Sequence, residues 1–324
     1  MKTVIFGASG FIGSHVAEQL HLAGHDVIAP LRAGSDRVFL DSVGVRVAQV
    51  DFADQSSIEA ATSAADVVVN CTAAVQASPR QARHVDVELT RQLVHAAAHA
   101  GAGRFVQLST IVVYGFAPGI CPADETTPCR PTHPISRLAV EREDTVRAAA
   151  TAAGIDHVIL RPVSTIGARD KDSFFSRLVR AHEANAFPMI DGGRSRFSCV
   201  DARDIGRAMA VLAGLPEAAG ETYLLRGFEL SWAQLKGLLD LYRGVVAKAR
   251  NIPRPLALGV AATQEMLSRR PGLTRYAVEA LCHDRIWDDT KLRSTGFVTA
   301  YDLHESTSAA LAALAGPDKD GMLR

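Results

Sequence analysis

Five cysteines in 324 residues, none arranged as C-x-x-C, are too few and too scattered for a secreted disulfide framework or a thiolate zinc site. Charge of one sign is also missing. The 35 Lys+Arg balance 35 Asp+Glu to a formal net charge of zero, which argues against nucleic acid as a partner. Long hydrophobic runs are lacking as well. The opening MKTVIFGASG reaches glycine before it could form a signal-peptide core. The longest uncharged stretch, 105–123, has the count for a bilayer span but contains Gly115, Pro118, Gly119 and Pro122. A soluble, cytoplasmic protein with no membrane partner is expected. Aromatics make up only 6%, so few rings are on hand to stack a nucleotide base in a substrate site. What is present is core-forming: 48% hydrophobic and 22% charged residues support a packed interior and exclude wholesale disorder.

Short β-rich runs at 2–6, 26–31, 45–50, 67–71, 104–108 and 157–161 read as buried strands. Helical patterns at 11–22, 56–64, 86–99 and 135–152 separate them. Strand–helix alternation of this kind, with right-handed crossovers, predicts a Rossmann-type, doubly wound parallel α/β sheet. After about residue 165 the pattern becomes irregular without a linker or repeat. A nucleotide-binding domain over 1–165 and a smaller, interleaved substrate lobe over 166–324 are expected, with the residues after Gly316 frayed.

The first strand runs straight into Gly7-Ala8-Ser9-Gly10-Phe11-Ile12-Gly13, which opens a helix. Glycines there permit a tight turn and let the backbone approach a pyrophosphate, and the helix start supplies free N–H groups and a positive dipole end. The bland alternative is a tight turn with no ligand. Asp51-Phe52, after the third strand, offers a carboxylate for an adenine amino group, with Asp54 as a helix cap. Asn70-Cys71-Thr72-Ala73-Ala74 ends the fourth strand with small residues that a cofactor can approach. The second strand ends at Arg32 with no carboxylate before Asp36. Arg32, with Arg37 as a second candidate, therefore favours the 2′-phosphate of NADP(H) over NAD(H).

These residues resemble the extended short-chain dehydrogenase/reductase superfamily, the branch of nucleotide-sugar epimerases and dehydratases. GASGFIG is similar to its glycine motif, DFAD and NCTAA to its adenine-side motifs, and RFVQLST followed by Val113-Tyr114-Gly115 to its active-site strand and loop. Leu160-Arg161-Pro162, FSCVD at 197–201 and Trp287-Asp288-Asp289-Thr290-Lys291 with Gly296-Phe297 resemble its later landmarks. The resemblance implies NAD(P)-dependent chemistry on a small molecule and cofactor contacts that include Pro162. It also implies a homodimer through the 86–99 and 135–152 helices. The family's hydroxyl residue falls on Thr110. Its Tyr-x-x-x-Lys pair falls on His133 and Arg137, and no tyrosine of this chain has a lysine four residues on.

Histidine titrates near ~6.5, so His133 needs no lysine to carry a proton. Its place beside Pro134 at a helix start and near Arg137 disfavours imidazolium and favours a base, while Arg137 can hold a ribose or phosphate. Carbonyl reduction then requires water or Tyr114 as donor. Three readings stay open: an NADP(H)-dependent oxidoreductase; an epimerase, dehydratase, isomerase, lyase or cyclase without net redox; and a degenerate, cofactor-sensing binding protein. Minor candidates are a His95/His99 pair, Asp86, Arg194 with Arg196 as an anion grip, and Asp124-Glu125. For these a solvated or structural role is preferred, save the arginine pair, which is even. No metal is expected, and the substrate stays open among nucleotide sugars, lipids, polyketides and aromatic ketones.

Overall fold

A computed structural model of the chain describes residues 1–74, 77–115, 120–268 and 273–315, without the side chains of 250 and 276. Six strands in the first half are β1 (Lys2–Phe6), β2 (Asp26–Leu31), β3 (Arg46–Gln49), β4 (Val67–Asn70), β5 (Arg104–Leu108) and β6 (Asp156–Pro162). They are followed by β7 (Ser164–Ile166), β8 (Phe187–Ile190), β9 (Arg196–Asp201), β10 (Thr222–Leu225), β11 (Phe228–Ser231) and β12 (Ala249–Ile252). The central sheet has seven strands in the order β10-β6-β5-β4-β1-β2-β3, and each neighbouring pair in it is parallel. The doubly wound sheet expected from strand–helix alternation is therefore present.

Successive residues of a strand point to opposite faces, and both faces are covered. On one side Ile5, Val69, Val106 and Leu160 pack with Val16 and Leu20 of helix Phe11–Leu22 and Ile205, Met209 and Leu212 of helix Ala202–Gly214. On the other, Val4, Phe6, Val68 and Phe105 pack with Ile58, Leu93 and Val146. Burial on both faces explains why β4 reads as an unbroken VVVN. Helices Phe11–Leu22 and Ala202–Gly214 touch so closely that a Cβ on Gly206 would lie 2.6 Å from the His15 carbonyl oxygen.

Residues beyond 165 complete this layer, because β10 pairs with β6 and helix Ala202–Gly214 covers the sheet. Arg169 fastens the connection. It donates to Ser14 Oγ at 2.9 Å and Glu18 at 2.9 Å, meets His15 Nδ1 at 2.7 Å, and lies 3.6 Å over the Phe39 ring. His15, burial-depressed to about 4, is neutral and gives its Nε2–H to the Ala168 carbonyl. A second core, with Phe197 stacked on Trp232 at 4.0 Å and Phe175 and Phe187 beside them, fills the C-terminal lobe.

Two differences from the sequence expectation have physical causes. Strand and helix ends shift by a residue or two, as frayed hydrogen bonding produces. The expected 86–99 helix is divided: a π turn, His84–Leu89, precedes α-helix Thr90–His99. That turn carries Asp86 into the interior, where Arg142 donates to it at 2.9 Å. Residues 316–324, expected to fray, lie outside the described residues. Among the described residues, no helix is long and apolar enough to cross a membrane.

Candidate active site and dinucleotide cleft

Strand order reverses between β1 and β4, whose C-terminal ends, Phe6 and Asn70, are in register. In an open parallel sheet such a reversal opens a crevice, because the two crossovers leave in opposite directions. The turn from Gly7 to Gly13 and the loop from Asn70 to Ala74 form its walls. Gly7 has φ +82, and a Cβ there would lie 2.6 Å from the Cys71 carbonyl carbon. A Cβ on Gly13 would lie 2.1 Å from the Gly7 carbonyl oxygen. Gly10 donates to that same oxygen at 3.0 Å. It caps helix Phe11–Leu22 without a side chain, so the amides of the first turn face the crevice unclaimed by a cap. This is a cradle that fits a pyrophosphate: glycine where any Cβ would collide, and a helix start aimed at it. Ser9, Gly10, Phe11 and Ile12 lie along it, with Ser9 and Gly10 exposed.

The opposite wall is held by Asn70. Its Oδ1 accepts from the Thr72 amide at 3.0 Å and hydroxyl at 2.7 Å, and its Nδ2 donates to Gln107 at 3.0 Å. Ala73 is exposed, and burial pushes the half-buried Cys71 thiol up to about 12, so it is not a nucleophile at neutral pH. At the outer end, a cavity of about 670 Å³ is lined by Arg32, Asp51, Phe52, His84 and Gln92 among others. Asp51 Oδ1 accepts from the Ala53 amide at 2.9 Å, and Asp54 caps helix Gln55–Thr62 through the Ser56 amide. Arg32 is exposed and has no side-chain partner among the described residues. Arg37 is not available in the same way, because Asp41 takes it at 2.7 and 2.8 Å.

At the inner end, Thr110 follows β5 and its hydroxyl oxygen accepts from the Val112 amide at 3.3 Å. Helix Pro134–Ala153 packs on this turn. His133 is its N-cap: Nδ1 accepts from the Ile135 amide at 3.4 Å. A ring nitrogen that accepts carries no proton, so the neutral ring has its hydrogen on Nε2. His133 lies below the usual histidine range, through burial and the nearby Arg137 cation, with Glu265 opposing them. Arg137 is exposed and turns back, its Nε donating to the Pro131 carbonyl at 3.2 Å. Pro162 is buried at the end of β6.

Tyr114 is turned into the interior. It is fully buried against Trp287, its ring 4.8 Å away, and its hydroxyl accepts from Arg161 at 2.6 Å. Burial pushes its phenol up to about 12. Arg161 belongs to a buried network that local sequence reading did not find. Glu143 accepts from Ser109 Oγ at 2.5 Å, from Arg161 at 2.8 and 2.6 Å, and from Arg147 at 2.9 Å. These bonds hold its carboxyl below the usual range against the opposing effect of burial. The helical period did carry a signal, since Glu143 shares the buried face of Ser136, Ala139, Val146 and Ala150.

The minor candidates separate. Arg196 is paired with Glu229 at 2.9 Å, whereas Arg194 lines a cavity of about 460 Å³ in the C-terminal lobe. Asp124 closes a turn through the Thr126 amide at 3.0 Å, and Glu125 accepts from the Leu224 amide at 2.6 Å. Among the described residues no cluster of three metal-ligating side chains includes His95 or His99.

A glycine cradle at the reversal point of a parallel sheet, with a cavity of about 670 Å³ at the outer end of the crevice, defines an NAD(P)-dependent enzyme of the Rossmann class. The chain belongs to the NAD dependent epimerase/dehydratase family, whose model matches residues 3–225. Sterol demethylase protein B of Methylococcus capsulatus is 28% identical over 277 residues, covering 83% of each protein. Cinnamoyl-CoA reductase 1 of Oryza sativa subsp. japonica is 28% identical over 274 residues, 78% of this chain and 80% of that one. The solved UDP-glucose 4-epimerase of Thermotoga maritima, with UDP-glucose, superposes with a TM-score of 0.77 at 20% identity over 97% of this chain and 99% of its own.

Proposed function

We propose that the protein is an NADP(H)-dependent oxidoreductase that interconverts an alcohol and a carbonyl on a small molecule. The observation that carries this reading is His133, a neutral ring at the N-cap of helix Pro134–Ala153 whose protonated nitrogen is Nε2. The nicotinamide, when bound, exchanges hydride with the substrate carbon. Gly7, Ser9, Gly10, Phe11, Ile12 and Gly13 would hold the pyrophosphate. Asp51 and Phe52 would flank the adenosine, Arg32 would take the 2′-phosphate, and Cys71, Thr72, Ala73 and Pro162 would wall the nicotinamide half.

His133 donates a hydrogen bond from Nε2–H to the substrate oxygen, and the Thr110 hydroxyl donates a second to the same atom while its own oxygen accepts from Val112, neither giving up its proton. Both bonds strengthen as that oxygen gains charge during carbonyl reduction, which is what lowers the barrier. The proton that completes the alcohol comes from water. His133 thus serves as a neutral donor rather than the base favoured by residue type alone, because a proton on Nδ1 would break the cap and face Arg137. Arg137, bonded to the Pro131 carbonyl, orders the loop that presents His133. Tyr114 takes no part in proton transfer.

The reading is tested by titrating the protein with NADPH and NADH while following nicotinamide fluorescence. NADPH deuterated at C4 is then offered with a panel of aliphatic, steroid and aryl ketones. Tighter NADPH binding and deuterium in the product alcohol are expected. Binding of neither dinucleotide overturns the reading, and epimerised sugar nucleotide without net cofactor oxidation replaces it with the non-redox alternative.

A further inference from the structure

The outer end of the cleft has a second border, supplied by the far half of the chain. The loop after β2 turns tightly, with the Ser35 amide donating to the Arg32 carbonyl at 3.1 Å and Gly34 at φ +76. Arg32 and Ala33 of this turn line the cavity of about 670 Å³, and Asp36 follows directly. The segment after β7 lies against the same loop. Arg169 covers the Phe39 ring at 3.6 Å, and Lys171 Nζ donates to Asp36 Oδ2 at 3.4 Å. The Lys171 and Asp36 side chains are 84% and 63% exposed, so their pairing contributes little to stability and the lysine can add a partner at small cost. The backbone that presents Lys171 is, by contrast, fixed. Arg180 donates to the Lys171 carbonyl at 3.0 Å and to Asp172 at 2.8 Å. Asp170 accepts from the Ser173 and Ser176 amides at 2.7 and 3.1 Å. The carboxylates on either side of Lys171 are thus occupied, and Asp36 is its one side-chain partner among the described residues.

Charge counting gives this contact a role. A phosphate monoester carries about −1.5 to −2 at pH 7. Within the loop after β2, Asp41 holds Arg37 at 2.7 and 2.8 Å, and the charges of Arg32 and Asp36 cancel. The loop by itself therefore offers a dianion no net positive charge, and Lys171 tips the balance. We propose that Lys171 is the second cation of the 2′-phosphate site: it neutralises Asp36 and lends its ammonium to the phosphate that Arg32 grips, so preference for NADP(H) is set in part from outside the loop. This rests on the NADP(H) reading above. The second charge that sequence places at Arg37 comes instead from a residue 135 positions beyond Asp36, carried there by the connection that leaves β7.

The test is a fluorescence titration of wild type, Lys171→Ala, Lys171→Glu and Asp36→Asn with NADPH and with NADH, at low and at raised salt. Lys171→Ala should weaken NADPH about threefold, as expected for one exposed charge, and Lys171→Glu, which changes the charge twice as much, about tenfold. Asp36→Asn removes the opposing carboxylate and should tighten NADPH about threefold. NADH affinity should stay constant across the series, and the NADPH effects should shrink as salt rises. Both positions are exposed, so the variants keep the fold, which far-UV dichroism checks. An NADPH-to-NADH affinity ratio unchanged in Lys171→Glu overturns the assignment and leaves the Arg32 reading intact. A loss of NADH affinity in Asp36→Asn also overturns it, by making that carboxylate a ribose ligand. Equal binding of both dinucleotides by wild type removes the 2′-phosphate site altogether, and binding of neither removes the dinucleotide reading with it.

Discussion

Replacing Glu143 by glutamine tests whether the buried network is what anchors the helix that begins at His133. Glu143 is 1% exposed and Arg161 4%, and the carboxylate accepts from three side chains. Glutamine is nearly the same size, but its NH2 group would face either the Arg161 or the Ser109 donor, leaving Arg161 a buried cation without its counter-charge. Breaking a buried pair in this way costs about 3–5 kcal/mol. At ~2.1 cal/mol/K of unfolding entropy per residue, a chain of 324 residues melts about 4–7 °C lower. The pH dependence has a definite sign. Glu143's folded value lies below its ordinary 4.5, so its contribution is complete above about pH 4.5 and disappears as pH falls through the lower folded value. The gap in Tm between wild type and Glu143→Gln should therefore be full at pH 7 and close in acid. Circular dichroism melts at a series of pH values measure this. A Tm within about 1 °C of wild type at pH 7 would refute the reasoning, since the stranded cation would then have found water.

Gly13→Ala places a Cβ 2.1 Å from the Gly7 carbonyl oxygen, so the turn must open; dinucleotide affinity should fall more than about tenfold while far-UV dichroism persists, and undiminished binding would contradict the cradle. Arg32→Ala should weaken NADPH by about tenfold, less at high salt, and leave NADH within about twofold; equal losses would remove the 2′-phosphate role. His133→Ala should lower kcat/KM about 100-fold with cofactor affinity unchanged. For wild type, rate should stay flat with rising pH above about 6.5, because the ring is already neutral; a rate that climbs through pH 8 would assign the titrating group to a residue other than His133. Tyr114→Phe leaves one Arg161 donor unmatched, costing about 2 kcal/mol or about 3 °C, but turnover should hold within about threefold; a collapse in turnover would return the phenol to the chemistry.

Much of the first layer was legible because its causes are local. A strand buried on both faces reads as a nearly continuous apolar run, as Val67, Val68 and Val69 of β4 do, and a helix between two such strands shows its own period. The glycine turn was legible because Gly7, Gly10 and Gly13 lie within a single turn of chain, and a side chain at Gly13 is forbidden by the Gly7 carbonyl within that same turn. The 86–99 segment was misread as one helix because its π turn answers to Arg142, a residue on another helix.

The sequence by itself determined the doubly wound sheet and the place of the glycine cradle. Tertiary structure decided what the candidate site's side chains face. It sent Tyr114 inward to Arg161, turned Arg137 back onto the Pro131 carbonyl, made His133 the cap of its helix, and paired Glu143 with Arg161. The partners of Tyr114 and Glu143 come from segments distant in sequence that the sheet brings together, and no local pattern of residues encodes those pairings.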